Sequence, residues 1–337
     1  MKAVGYRRSL PIGEPDSLLD VELEKPVPEA RDLLVRIEAV SVNPVDTKVR
    51  MRAAPEPGKI KVLGYDGAGT VEAVGKGVSL FKPGEKVWYA GSILRQGTNA
   101  EYHLVDERIA GAMPRRLSFA EAAALPLTSI TAWEMLFDRF AIRPGKPASA
   151  GALLIIGGAG GVGSIAVQLA RRLTGLTVIA TASRPETRAW CLELGAHYVA
   201  DHSRPLPAEL KALGFASVDY IFGVTATERH LAEIAEMVAP QGKFGLIDDP
   251  KTLDALPFKR KSASIHWEAM FARSMFETPD MIAQHRLLGE VARLVDDGLI
   301  RSTATATLGR IDAATLKEAH ALIESGRARG KLVLAGF

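Results

Sequence analysis

The hydrophobic positions change rhythm along the chain, and the change divides it. Up to residue 125 they fall in short runs cut by turns: at 33–40, at 69–74 between glycine-rich turns, and after Pro83-Gly84 into Val87-Trp88. Short apolar and β-branched runs bounded by glycine and proline read as strands, with Pro-Gly as a turn feeding the next one. This spacing predicts a compact β barrel or sandwich. At Ser118 the texture turns helical. Ser118-Phe119-Ala120-Glu121 is a capping box ahead of Ala122-Ala123-Ala124-Leu125, serine and glutamate each satisfying a backbone N–H that a helix start leaves open.

From Gly151 onward strand and helix patterns alternate. Strands are expected at 153–156, 177–181, 197–200, 218–222 and 243–247, with helices at 162–173, 185–194 and 230–238, the last stopped by Pro240-Gln241-Gly242. Such alternation implies parallel strands joined by right-handed crossovers, a doubly wound α/β sheet. The unbroken apolar run Leu153-Leu154-Ile155-Ile156 suits a sheet covered on both faces. A further short strand at 262–267 precedes a long helix around 281–296, a strand at 303–308, a helix at 313–323 and a last strand at 331–334. Left over once the sheet is complete, these are expected to return to the first domain. The division is then 1–125 with 268–337 as one domain and 126–267 as the other.

Composition narrows the class. With 337 residues the chain is too long for one ordinary core, and 47% hydrophobic with 24% charged residues is globular. Forty-two basic residues against 39 acidic ones, scattered along the chain, give +3, too little to argue for nucleic acid. One cysteine, Cys191, excludes a disulfide framework and any zinc site needing two or four cysteines, and makes a reducing cytoplasm the expected compartment. Met1–Arg8 holds no apolar run, so no signal peptide is expected. The uncharged window 147–170 invites a membrane reading, but it contains six glycines. A strand, a turn and a helix explain it better than a span does.

Those glycines carry the first chemistry. Gly158-x-Gly160-x-x-Gly163 follows the expected strand at 153–156 directly and opens the expected helix. In such a loop one glycine makes the tight turn, the next lets backbone approach a pyrophosphate, and the third lets helix and strand pack closely. Free N–H groups at the helix start then face the anion. Gly158, Gly160, Gly161, Val162 and Gly163 are therefore candidate dinucleotide ligands, and the absence of Gly-Lys-Ser/Thr excludes an ATP loop. An acid after the second strand would accept from a ribose 2′-OH, but Ala180-Thr181-Ala182-Ser183-Arg184 stands there. Ser183 and Arg184 favour a 2′-phosphate, hence NADP(H). The alternative makes Arg184 a solvated cation and gives the ribose to Glu186, in what reads as a first helical turn.

Together with Leu63-Gly64-Tyr65-Asp66-Gly67-Ala68-Gly69, the stretches 77–87 and 99–133, and Phe271-Ala272-Arg273-Ser274-Met275-Phe276, the loop resembles the medium-chain dehydrogenase/reductase superfamily. Within it the chain is most similar to the quinone oxidoreductase branch and its zinc-type alcohol dehydrogenase-like members. The resemblance spans essentially the whole chain. It implies a GroES-like, β-rich catalytic domain made from both chain ends, with a Rossmann domain inserted between them. Metal-dependent members carry Gly-His-Glu where this chain has Gly64-Tyr65-Asp66, a cysteine near residues 42–46, and a four-cysteine lobe after Val87-Trp88; all are missing. Asp46 and Asp66 with a histidine would suit a hard ion better than a catalytic zinc, and both read as structural or polar site-lining groups. A zinc-free member is expected.

Oxidising an alcohol needs a metal or a tuned base, and no Tyr-x-x-x-Lys dyad replaces the metal. A quinone or enone accepts hydride directly, because its carbonyl already polarises the acceptor. The expectation is an NADPH-dependent quinone or enone reductase. The rivals are a metal-dependent alcohol dehydrogenase and a non-catalytic NADPH-binding protein. By resemblance, Asn43 lies beside the nicotinamide, with an amide able to donate to a substrate oxygen; as a bare residue before proline it is a turn former. Thr131 aligns with a threonine near the nicotinamide, or is a helix hydroxyl bonded to its own backbone. Tyr65 is an acid or a pocket wall. Lys331 matches a position that approaches the cofactor in related reductases, and His202 one near the adenosine phosphate. His103 and Cys191 read as packing, and Lys259-Arg260-Lys261 as a solvated loop. The strand at 262–267 is expected to pair across a two-fold axis in a homodimer, as in relatives.

Overall fold

The computed structural model describes residues 1–145 and 151–337. The start of the uncharged window, at residues 147–150, lies outside them. The chain divides into one unit of Met1–Ile130 with Phe271–Phe337 and another of Thr131–Met270.

The first unit is built around one long strand, Asp32–Val42. It pairs antiparallel with Asp66–Val74, with Tyr102–Asp106 and with the C-terminal strand Lys331–Ala335. Ala304–Gly309, Lys86–Ala90 and Ala110–Ala112 complete a seven-stranded sheet. A smaller sheet joins Lys2–Tyr6 to Leu19–Glu22 and Lys61–Val62. Two registers matter below: Ser41 stands opposite Asp66, and Leu332 opposite Val42. They bring Asp66, Lys331 and the end of the long strand to one place. The Ser118 capping box forms, with Glu121 Oε2 accepting from Ser118 N at 2.9 Å.

Asn43-Pro44 is not a simple turn. It opens the helix Pro44–Arg52, with Asn43 as N-cap and proline in the first turn, where its missing N–H costs nothing. The hydrophobic pattern hides this helix because Pro44-Val45-Asp46-Thr47-Lys48-Val49-Arg50 has no continuous apolar stripe.

The second unit is a six-stranded, all-parallel sheet in the order Tyr198–Ala200, Thr177–Thr181, Ala152–Ile156, Val218–Gly223, Val238–Leu246, Ser264–Trp267. The chain builds to one side of Ala152–Ile156 and then to the other, which makes its carboxyl end a topological switch point. Leu154, Ile156, Ile179, Ile221, Phe244 and Leu246 are all at most 1% exposed, as an apolar strand packed on both faces requires.

Three features depart from the sequence pattern. Pro240-Gln241-Gly242, expected to stop a helix, lies inside the strand Val238–Leu246, whose pairing shifts register there. Glu134–Arg139 is a π-helical turn, closed by Phe140 N donating to Met135 O at 2.9 Å. Lys261, expected in a solvated loop, donates through Nζ to Glu236 O and Val238 O, capping carbonyls that the end of the helix Thr227–Met237 leaves open. Among the described residues no helix is long and apolar enough to cross a membrane.

Candidate active site

In the first unit the candidate residues converge on Asp66, which is fully buried. Its Oδ2 accepts from Ser41 Oγ at 2.8 Å, Asn43 Nδ2 at 2.7 Å and Lys331 Nζ at 3.1 Å. Its Oδ1 accepts from Leu127 N at 2.8 Å, one of the open amides at the start of the helix Pro126–Trp133. Asp46 is equally committed. Oδ2 accepts from Asn43 N at 2.7 Å and Oδ1 from Gly64 N at 2.9 Å, so it closes the cap of its own helix and tethers the segment carrying Tyr65. Burial drives the Asp46 carboxyl up to about 7, against the backbone donors and Lys331.

Tyr65 is 1% exposed, and its hydroxyl has no hydrogen-bond partner among the described residues. Its ring meets Phe271 edge to face, with centroids 5.2 Å apart. Burial, then the charge of Asp46, push the phenol well above its ordinary range, so the group is a protonated donor at neutral pH. A buried hydroxyl without an acceptor is costly.

Lys331 belongs to the same cluster. It is 2% exposed, and its Nζ donates to Val42 O at 2.8 Å, to Asn43 Oδ1 and to Asp66 Oδ2. An ammonium has three N–H groups, and all three are engaged within this unit. Asn43 is likewise buried, with one side-chain N–H held by Asp66. Ser41 and the Leu127 amide belong to this cluster too, and no motif marks either of them.

The second unit holds the phosphate loop. Between the strand Ala152–Ile156 and the helix Gly161–Leu173, it is Gly157 that adopts the left-handed backbone, at φ +87°; the tight turn was expected at Gly158. Gly158 is glycine for another reason, since a Cβ there would lie 2.7 Å from Ala180 Cβ and 3.2 Å from Cys191 Sγ. A Cβ on Gly163 would sit 2.2 Å from Gly157 O, the close helix–strand approach the motif requires. A Cβ on Gly160 would meet nothing nearer than 3.6 Å; its bareness leaves the loop open to an anion beside the N–H groups of Gly161 and Val162. The loop fits a dinucleotide pyrophosphate.

Thr181, at the end of the second strand, organises the surroundings. Its Oγ1 accepts from Gly157 N at 3.0 Å and lies 3.0 Å from His202 Nδ1. A hydroxyl has one donor and two acceptor sites, so Thr181 can hold the Gly157 amide and the His202 ring at once. Burial first, then His230 and the cations Arg229 and Arg184, lower the His202 pKa against Asp201. Ser183 is half-buried beside them. Arg184 and Glu186, the two rivals for the ribose, are paired at 2.7 Å. Thr131 is buried in the helix Pro126–Trp133 and is the first residue of this unit.

His103 packs as expected, with Nδ1 3.0 Å from Tyr89 Oη and Nε2 2.9 Å from Gln96 O. Cys191 is buried, its thiol pushed up to about 12, which makes it inert.

A catalytic zinc does not fit these residues. Asp46 and Asp66 are bound to backbone amides and to Lys331, Tyr65 replaces a histidine, and no group of three or more His, Cys, Asp or Glu among the described residues could hold a metal ion.

A glycine-rich loop at the switch point of a parallel sheet, joined to a β unit made from both chain ends, defines a dinucleotide-dependent oxidoreductase class. Family models agree: residues 29–130 match the alcohol dehydrogenase GroES-like domain and residues 194–334 a zinc-binding dehydrogenase. The chain is 43% identical over 339 residues to a zinc-type alcohol dehydrogenase-like protein of Staphylococcus aureus, covering 99% of each. It therefore belongs to the medium-chain dehydrogenase/reductase superfamily. A crystal structure from Rhizobium etli, described as a candidate zinc-dependent alcohol dehydrogenase, is 61% identical with a TM-score of 0.96, over 100% of this chain and 98% of that one. More distant relatives are a 2-methylene-furan-3-one reductase of Solanum lycopersicum, 36% identical over 56% of this chain and 49% of that protein, and a quinone oxidoreductase of Lama guanicoe, 28% identical over 79% of each.

Proposed function

We propose that the protein reduces quinones or other activated carbonyl compounds (enones) with NADPH, without a metal. The observation that carries this reading is Tyr65, a buried and protonated hydroxyl with no partner among the described residues, at the position where metal-dependent relatives carry a metal ligand. NADPH supplies the hydride when bound. Adding hydride to an enone or quinone carbon leaves negative charge on the carbonyl oxygen, and that oxygen needs a donor. Tyr65 is suited to hydrogen-bond to it, and the second side-chain N–H of Asn43 supplies a further donor. Gly158, Gly160, Gly161, Val162 and Gly163 would hold the pyrophosphate, and Ser183, Arg184 and His202 the 2′-phosphate; Thr131 stands in its helix as a nicotinamide neighbour.

Two relatives support the acceptor class, since one is named a quinone oxidoreductase and another reduces a furanone bearing an exocyclic methylene. The names of the nearer relatives favour a zinc enzyme, but with Asp66 held by Lys331 and three other donors the described residues offer no free ligand set. The test is NADPH oxidation with a simple quinone and a simple enone, with and without chelator, in wild type and Tyr65→Phe. Turnover that survives chelation, carries far less than one zinc per chain and falls about 10- to 100-fold in Tyr65→Phe is expected. Stoichiometric zinc with chelator-sensitive alcohol oxidation would overturn it.

A further inference from the structure

The direction of the Asn43 amide can be deduced from its neighbours. Its Oδ1 accepts from Lys331 Nζ, and its Nδ2 donates to Asp66 Oδ2 at 2.7 Å. A lysine only donates and an ionised carboxylate only accepts. Turning the amide over would set NH₂ against the ammonium and a carbonyl oxygen against the carboxylate. One orientation is therefore allowed, and in it the second N–H on Nδ2 is the amide's remaining donor. The backbone is held as well, because Asn43 N donates to Asp46 Oδ2 at 2.7 Å.

The fold delivers Lys331 to this place by construction. Gly330 adopts φ +55°, and a Cβ on it would lie 2.4 Å from Thr303 O; only glycine lets the chain turn there. Lys331 N then donates to Thr303 O at 2.9 Å, and the next residue, Leu332, enters the sheet opposite Val42. The ammonium lies beneath the end of the long strand with its three donors engaged.

We propose that Lys331 is a positioning residue: it touches neither cofactor nor substrate, and locks the Asn43 amide in the orientation that presents an N–H to the acceptor oxygen. This rests on the reductase reading above, so the experiment has one arm that needs turnover and one that does not. Lys331→Met alone leaves Asp66 buried without its cation and threatens folding, so Lys331→Met/Asp66→Asn is made beside it.

In the turnover arm, the double variant is expected to recover most of the melting temperature lost by Lys331→Met. It should bind NADPH within about twofold of wild type by fluorescence titration, yet keep a kcat about tenfold down or lower. In an Asn43→Ala background Lys331→Met should cost less than about a further twofold, because its effect passes through the amide. A kcat restored along with stability would make Lys331 merely structural. A tenfold loss of NADPH affinity with kcat intact would make it a cofactor ligand. Either result overturns the proposal.

The second arm is the side-chain amide signal of Asn43 in ¹⁵N-labelled protein, assigned by its loss in Asn43→Ala. Wild type should show two distinct Nδ2 protons that exchange slowly with solvent, and the double variant should exchange them at least about tenfold faster. Equal exchange in both proteins overturns the positioning role even if no quinone or enone is ever turned over.

Discussion

Arg184 Nε lies 2.7 Å from Glu186 Oε1, just beyond the strand Thr177–Thr181. The base that would clamp a 2′-phosphate and the acid that would bind ribose hydroxyls neutralise each other before any cofactor arrives. Both side chains are well exposed, at 40% and 54%, so the pair is weak and readily exchanged. If the arginine leaves the glutamate for the phosphate, the charge-assisted pair contributes roughly 1.5–3 kcal/mol, or ten- to a hundredfold in affinity. Arg184→Ala should weaken NADPH binding by about tenfold and leave NADH nearly unchanged. Glu186→Gln should tighten NADPH about twofold by freeing the arginine. Fluorescence titration of both cofactors against both variants reads this, and the NADPH preference should shrink as salt rises. Equal wild-type affinities for NADPH and NADH would refute the clamp.

His202 adds a pH term to the same affinity. Its pKa is lowered in the free protein, chiefly by burial, so at neutral pH the ring is uncharged. A phosphate dianion beside it would favour imidazolium, so NADPH binding takes up a proton and weakens as pH rises. The slope is at most about tenfold per pH unit, best read between roughly pH 6.5 and 8.5, above the phosphate's own second ionisation near 6. NADH affinity should be flat over that range, and His202→Gln should flatten NADPH as well. A pH-independent wild-type NADPH affinity would place His202 away from the phosphate.

Assembly can be tested at the strand Ser264–Trp267, which ends the parallel sheet. Its Trp267 is 53% exposed, a large apolar side chain on a strand whose outer edge is open to pairing. Joining two such edges across a two-fold axis would make a continuous sheet. Light scattering should give twice the 36.1 kDa chain mass, and Trp267→Asp should shift the population toward single chains. A monomeric wild type at micromolar concentration would count against this edge.

The parts legible in the sequence were those governed by short-range sterics. The spacing of Gly158, Gly160 and Gly163 marks the phosphate loop because helix, strand and anion must come close there, although the left-handed turn itself belongs to Gly157. The alternation after Gly151 marks the parallel sheet, since strands covered on both faces must be continuously apolar. Long-range polar chemistry left no local trace. Lys331 meets Asn43 across 288 positions and Asp66 across 265, and only the register of three strands makes them neighbours. The helix Pro44–Arg52 was hidden for a related reason. Its start is fixed by Pro44 and by Asp46 accepting from Asn43 N, polar signals that a search for an apolar stripe passes over.

The π-helical turn Glu134–Arg139 makes a last prediction. It buries Glu134 near Glu268, with Arg139 Nε 2.8 Å from Glu268 Oε2 and Arg139 Nη2 3.9 Å from Glu134 Oε2. Burial, then the neighbouring Glu134 carboxylate, push the Glu268 carboxyl up to about 9, while Arg139 opposes them. A folded-state pKa above the unfolded value of 4.5 means the native protein keeps a proton that the unfolded chain releases. Between roughly pH 4.5 and 9 stability therefore falls as pH rises, and below that window this loss vanishes. Glu268→Gln keeps an oxygen for Arg139 and removes the proton. It should raise the melting temperature by about 2–5 °C at pH 8.5 and change it little at pH 5. Equal destabilisation at both pH values would instead mean that Glu268 is ionised and held by Arg139, and that a neutral amide cannot replace it.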